Sequence, residues 1–109
     1  REGAAMNVLF WQEPFWPHGD GMAVAAENLL GTLRRHGHEI TVVTERQTGM
    51  PARGEWRGVT LCRFPFRQAL ARADAAEVAA LKREIAALKR SVAPDVVHLG
   101  GIGPSCFFH

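Results

Sequence analysis

The residues with chemistry to offer gather in two short stretches, His18-Gly19-Asp20-Gly21 and His98-Leu99-Gly100-Gly101. A histidine can hydrogen-bond a phosphate or a sugar hydroxyl, or act as an acid or base near neutral pH. Gly19 and Gly21 allow a tight turn whose backbone N–H groups face a phosphate at the start of a following helix. Equally, they could serve only to let the chain turn. The third glycine of a GxGxxG run would fall at Val24, so a nicotinamide or flavin dinucleotide fits poorly. Asp20 complicates a phosphate here, because a carboxylate at a helix start already satisfies the free N–H groups. Either the phosphate sits farther off or Asp20 turns outward when it binds. His98 could instead cap a carbonyl at the end of its strand. His18 and His98 alone make two ligands with no carboxylate or cysteine cluster beside them, so no metal site is expected. Trp11, Phe15 and Trp16 could form a stacking platform for a sugar or an apolar acceptor. They could also be the plug that packs a long loop onto the sheet or onto a second domain.

Both stretches must be held by the elements before and after them. Met6 to Phe10 is an apolar run that reads as a strand buried on both faces. The excursion from Trp11 to Gly21 is long for a strand-to-helix connection, which usually takes about 2 to 6 residues, and long loops in compact domains are usually functional. From Met22 the period becomes 3.6, with Met22, Ala26, Leu29, Leu30 and Leu33 on one side. Asp20 is the candidate N-cap of that helix and Gly37 its left-handed C-cap. His36 and His38 flank Gly37 and read as capping partners. Ile40 to Thr44 is a second strand, Glu45 to Gly58 a polar loop broken by Gly49, Pro51, Gly54 and Gly58, and Val59 to Phe64 a third strand ended by Pro65. Phe66 to Arg72 could be a helical turn. A firmer helix starts at Asp74, which has capping-box spacing to Glu77, and carries the stripe Val78, Leu81, Ile85 and Leu88 up to Pro94. Asp95 to Leu99 is a fourth strand, followed by the loop Gly100 to Pro104.

This order predicts an α/β, Rossmann-like parallel sheet with flanking helices and strand order 3-2-1-4, by the right-handed crossover rule. The first and fourth strands are then neighbours at the reversal point, where ligands bind in open α/β sheets. Residues 1–5 read as an extension or an expression remnant, and 6–109 as one domain whose last element is unfinished.

Composition narrows the partners. The formal net charge of +2 is too small to imply nucleic acid. Residues 53–90 hold nine Arg or Lys against four Asp or Glu, an asymmetry that suits anionic partners or a solvated helix face. The basic, aromatic stretch Arg63 to Arg72 could rest on a membrane surface if the acceptor is lipid-linked. No apolar run approaches the roughly 20 residues of a membrane span. Cys62 and Cys106 form no CxxC pair, and two isolated cysteines suit a reducing, cytoplasmic compartment.

Several segments, in order, carry a resemblance. Glu13-Pro14-Phe15-Trp16-Pro17-His18, Ala25-Ala26-Glu27-Asn28-Leu29-Leu30, Arg35-His36-Gly37-His38-Glu39-Ile40-Thr41-Val42-Val43-Thr44 and Pro94-Asp95-Val96-Val97-His98 resemble the N-terminal half of retaining glycosyltransferases of family 4, which have the GT-B fold. The resemblance implies a truncated, acceptor-shaping first domain of a two-domain enzyme, inactive without its C-terminal domain. It implies a sugar-nucleotide donor (UDP-, GDP- or ADP-sugar), an acceptor it does not specify, no cofactor and no essential metal. The expected adjacency of the first and fourth strands places His18, Gly19, Asp20, Gly21, His98, Gly100 and Gly101 at the substrate crevice, and no catalytic residue is assigned. Family members usually carry two consecutive glycines where this chain has Asp20 and Gly21, an acidic residue at Ala23 and a histidine at Gly100. These departures leave the donor contacts open. A GT-B-like epimerase or phosphorylase, or a non-enzymatic nucleotide-binding module, are the alternatives.

Overall fold

The computed structural model describes residues 6–12, 21–46, 49–99 and 108, with side chains from Val24 onward in the first helix. The elements are β1 (Asn7–Trp11), α1 (Gly21–Arg35), β2 (Glu39–Glu45), β3 (Arg53–Trp56), β4 (Val59–Phe64), α2 (Phe66–Arg72), α3 (Ala75–Val92) and β5 (Val96–Leu99). They build one five-stranded sheet in the order β3-β4-β2-β1-β5. β1 pairs parallel with β2 and β5, and β2 parallel with β4, while β3 runs antiparallel along β4.

The expectation of a wholly parallel four-stranded sheet in the order 3-2-1-4 is therefore corrected. The sheet is mixed and five-stranded, with a hairpin at one edge. The reason lies in the stretch read as loop from Glu45 to Gly58. Glu45 still belongs to β2, and Arg53 to Trp56 pair with β4 through a two-residue turn at Arg57 and Gly58. Both turn residues have positive φ, +48° and +83°, the backbone of a hairpin turn whose twist matches the strands. Trp56 then enters the core, and the Arg57 guanidinium lies 5.1 Å from its ring centroid.

Alternation along the strands divides the core in two. On one face Val8, Phe10, Ile40, Val42, Val59 and Leu61 pack with Trp56 under Ala26 and Leu30 of α1. On the other, Leu9, Trp11, Val43 and Cys62 pack under α2 and α3. The β1–α1–β2 and β4–α2–α3–β5 crossovers run in opposite directions across the sheet, so a single handedness puts their helices on opposite faces. α1 is rotated from the expected stripe. Its buried line runs through Ala26 and Leu30 with Leu33 beside it, and Leu29 is 41% exposed.

The ends of the elements are set locally. His38 N–H donates to Leu33 O and Gly37 N–H to Arg34 O, closing α1 with Gly37 at φ +87°. Asp74 caps α3, its carboxylate accepting from Ala76 and Glu77 N–H at 2.9 and 3.3 Å. Asn7 N–H donates to the Asp95 carboxylate at 2.8 Å, Asp95 N–H donates to Asn7 O, and the Asn7 side-chain amide donates to Val92 O. These bonds pin the starts of β1 and β5 together, and so fix which of their residues lie side by side farther along.

Candidate functional site

Four parallel strands end on one edge: β1 at Trp11, β2 at Glu45, β4 at Phe64 and β5 at Leu99. In the β1–β5 pair, Phe10 lies beside His98 and Trp11 beside Leu99. The chain therefore leaves β1 and β5 from adjacent positions of the same edge. α1 covers one face and runs against the strands. Its Arg34 Nε donates to Gly58 O at 3.3 Å, just before β4 begins, which puts the Gly21 end of the helix at the carboxyl edge. The first turn of α1 carries no acidic side chain. The N-terminal turn and the positive end of the helix dipole thus lie at the carboxyl edge.

Of the residues expected at the crevice, His18, Gly19, Asp20, Gly100 and Gly101, with Phe15 and Trp16 of the aromatic trio, lie outside the described residues. Gly21 opens α1. His98 stands on the exposed strand β5, stacked on Phe10 with ring centroids 4.6 Å apart, on the face that α1 covers. It has no hydrogen-bond partner among the described residues, so its place is set by stacking and not by capping a carbonyl.

Trp11 is the last residue of β1, not the first of a loop, and is 1% exposed. Its ring packs 5.5 Å from that of Phe66, and Lys89 Nζ lies 5.7 Å from its centroid. Of the two readings of the aromatic trio, Trp11 occupies the packing position. Burial also lowers the Lys89 pKa.

One set of residues at this edge escaped the sequence reading. Gln12, Thr44 and Arg63 are the buried polar side chains of the described residues, 2%, 2% and 5% exposed. They form a single row. Gln12 N–H donates to Val43 O at 3.0 Å, continuing the β1–β2 ladder so that Gln12 lies beside Thr44, and Thr44 pairs with Arg63. Phe10, Val42 and Leu61, two residues earlier in each strand, face α1, so the row above them faces α1 as well. The signal was present in the sequence: three strands each end a run of apolar residues with a polar one, at Phe10-Trp11-Gln12, Val42-Val43-Thr44 and Leu61-Cys62-Arg63. Polar residues at strand ends ordinarily face water, and so they drew no attention.

The opposite face offers a different space. A groove of about 590 Å³ lies between Glu84, Leu88 and Ser91 of α3 and Thr41, Thr60 and Cys62 of the sheet. Cys62 is held there as a neutral thiol. Burial raises its pKa, outweighing the Arg53 guanidinium that donates to its sulfur at 2.9 Å. A thiol so held is a poor nucleophile. Among the described residues no three His, Cys, Asp or Glu side chains converge to hold a metal ion, and no helix is long and apolar enough to cross a membrane.

No curated protein and no solved structure matches the chain. A family model described as a glycosyl transferase 4-like domain matches residues 20–109, from the start of α1 through every later element of the sheet. With most of its length inside that match, the chain belongs to the glycosyl transferase 4-like family.

Proposed function

We propose that this domain forms the acceptor side of a two-domain enzyme that transfers a sugar from a nucleotide-diphosphate donor with retention of configuration. The observation that carries the reading is the β1–β5 pairing, with Phe10 beside His98 and Trp11 beside Leu99. It supports a shared crevice for the two glycine-bearing segments that follow these strands, His18 to Gly21 and Gly100-Gly101.

In such a transfer the bond from the anomeric carbon to the diphosphate oxygen breaks, and the diphosphate keeps the electron pair. The acceptor oxygen bonds to the anomeric carbon and gives up its proton. The developing charge on the diphosphate is the feature a protein must stabilise, and N–H groups fixed in advance do this at low cost in reorganisation. In this reading the N-terminal turn of α1 supplies those groups, and His98 borders the sugar side of the crevice. Closure against a C-terminal domain would exclude water and so suppress donor hydrolysis. The acceptor side lies along the carboxyl edge of this domain, near the basic segment that holds Arg67 and Arg72.

The test is to incubate the natural enzyme carrying this domain with UDP-, GDP- and ADP-sugars and follow release of the nucleoside diphosphate. One donor class should turn over, and the anomeric proton signal of the product should match that of the donor. The 109-residue chain alone should show no turnover. Release from none of the three classes, or an inverted product, would contradict the reading.

A further inference from the structure

The groove between α3 and the sheet lies on the face opposite α1, away from the crevice. Thr41 and Thr60 are direct neighbours across the β2–β4 pair, and both stand on the side of Val43 and Cys62. With Ser91 of α3 they line the end of the groove nearest the amino edge, where Val92 O accepts from the Asn7 side chain at the start of β1. Glu84 lies about two turns before Ser91, roughly 10 Å back along the helix. Arg53 pairs with Cys62 two positions beyond Thr60, its guanidinium donating to Cys62 Sγ at 2.9 Å. The groove thus has three hydroxyls at one end and a carboxylate and a guanidinium at the other.

These groups are not spent on one another. The side chains of Thr41, Thr60, Ser91 and Glu84 have no hydrogen-bond partner among the described residues, and no carboxylate there pairs with Arg53. Their inventory narrows the ligand. Glu84 only accepts and Arg53 only donates, while the three hydroxyls do both. A sugar hydroxyl also donates and accepts, so one kind of group satisfies all five. The two charges offset each other: an anion gains Arg53 but meets Glu84, and a cation gains Glu84 but meets Arg53. A purely apolar occupant would strip water from five polar groups and return no hydrogen bond. Leu88 and Val92 add an apolar wall suited to the C–H face of a sugar ring. At about 590 Å³ the groove falls within the range of small-molecule sites, about 300–1,000 Å³.

We propose that this groove binds a neutral sugar, at a site separate from the carboxyl-edge crevice. The binding is reversible and involves no bond-making step. It does not depend on the sugar-transfer reading, because every group it uses belongs to the opposite face of the sheet.

Backbone amide NMR of the chain, titrated separately with the methyl α-glycosides of glucose, galactose and mannose, tests it. At least one should give saturable shifts centred on Thr41, Thr60, Glu84 and Ser91, with a dissociation constant in the millimolar range. Glucose 6-phosphate and glucosamine, which carry charges of opposite sign, should bind there more weakly than the best neutral glycoside. Thr60→Val and Glu84→Gln alter exposed side chains, and each should weaken that glycoside about three- to tenfold, as loss of one hydrogen bond does. Ala87→Trp, which puts an indole into the groove, should abolish binding. The inference is overturned if no glycoside gives saturable shifts at these residues, if either charged sugar binds more tightly than all three, or if affinity is unchanged in either polar variant. Failure of donor turnover in the natural enzyme would remove the sugar-transfer reading and leave these shifts standing.

Discussion

Neighbouring residues of the same three strands face two different environments. Trp11, Val43 and Cys62 point to the α2–α3 face, where Phe66, Ala69, Leu81, Ile85 and Leu88 seal them. Gln12, Thr44 and Arg63, each one residue later, point to the α1 face and are polar. One side of the carboxyl edge is dry and closed by two helices, and the other is polar and meets the start of α1. A one-residue step along a strand reverses the side, so a single edge carries both a closed apolar face and a polar one.

The largest effect should come from breaking the dry side. Phe66 is fully buried, with ring centroids of Trp11, Phe64 and Phe108 at 5.5, 5.7 and 5.2 Å. Phe66→Ala should cost about 3–5 kcal/mol, read by urea unfolding, because the aromatic cluster cannot close over the void. A loss under about 1 kcal/mol would mean that α2 does not seal this face. The contrast with Arg63→Met sharpens the comparison, since replacing a buried cation whose Nε has no partner should stabilise the polar face while truncation weakens the dry one.

A smaller effect is expected from the thiol of Cys62. Its pKa is raised by burial in the fold, so between the ordinary value and the folded one the native state holds more protons than the unfolded chain. The stability it contributes is fully present below pH 9.0 and is lost as pH rises through the folded value. Cys62→Val should therefore flatten the alkaline decline when unfolding is followed from pH 8 upward. An unchanged profile would place the thiol in water. Lys89, whose pKa burial lowers, acts in the opposite direction, and so the difference between wild type and Cys62→Val is the quantity to read.

Much of the scaffold was legible because its signals are local. The apolar runs of β1, β2 and β4, the Asp74 cap and the Gly37 stop each act through residues within a turn of one another. β3 was not, because Arg53-Gly54-Glu55-Trp56 has one apolar residue, and its pairing depends on a turn in which Arg57 takes an unusual backbone conformation. Leu29 fits a helical stripe as well as Leu30 does, and only packing against the sheet decides which is covered. Trp11 looked like a loop residue because the Pro- and Gly-rich stretch begins just after it, whereas β1 runs one position farther. Arg63 was the least legible, since a charged residue at a strand end normally signals solvent, and its burial follows from the hairpin that folds Gly54 beneath it.

The central claim is that the segments after β1 and β5 open on one ligand crevice at the carboxyl edge. Backbone amide NMR of the chain, titrated with UDP, tests it most directly. The account predicts that shifts cluster at Gln12, Gly21, Met22 and Leu99 and leave His38, Asn7 and Asp95 at the opposite edge unmoved. Shifts confined to that opposite edge, or to the groove beside Thr60 and Ser91, would contradict it.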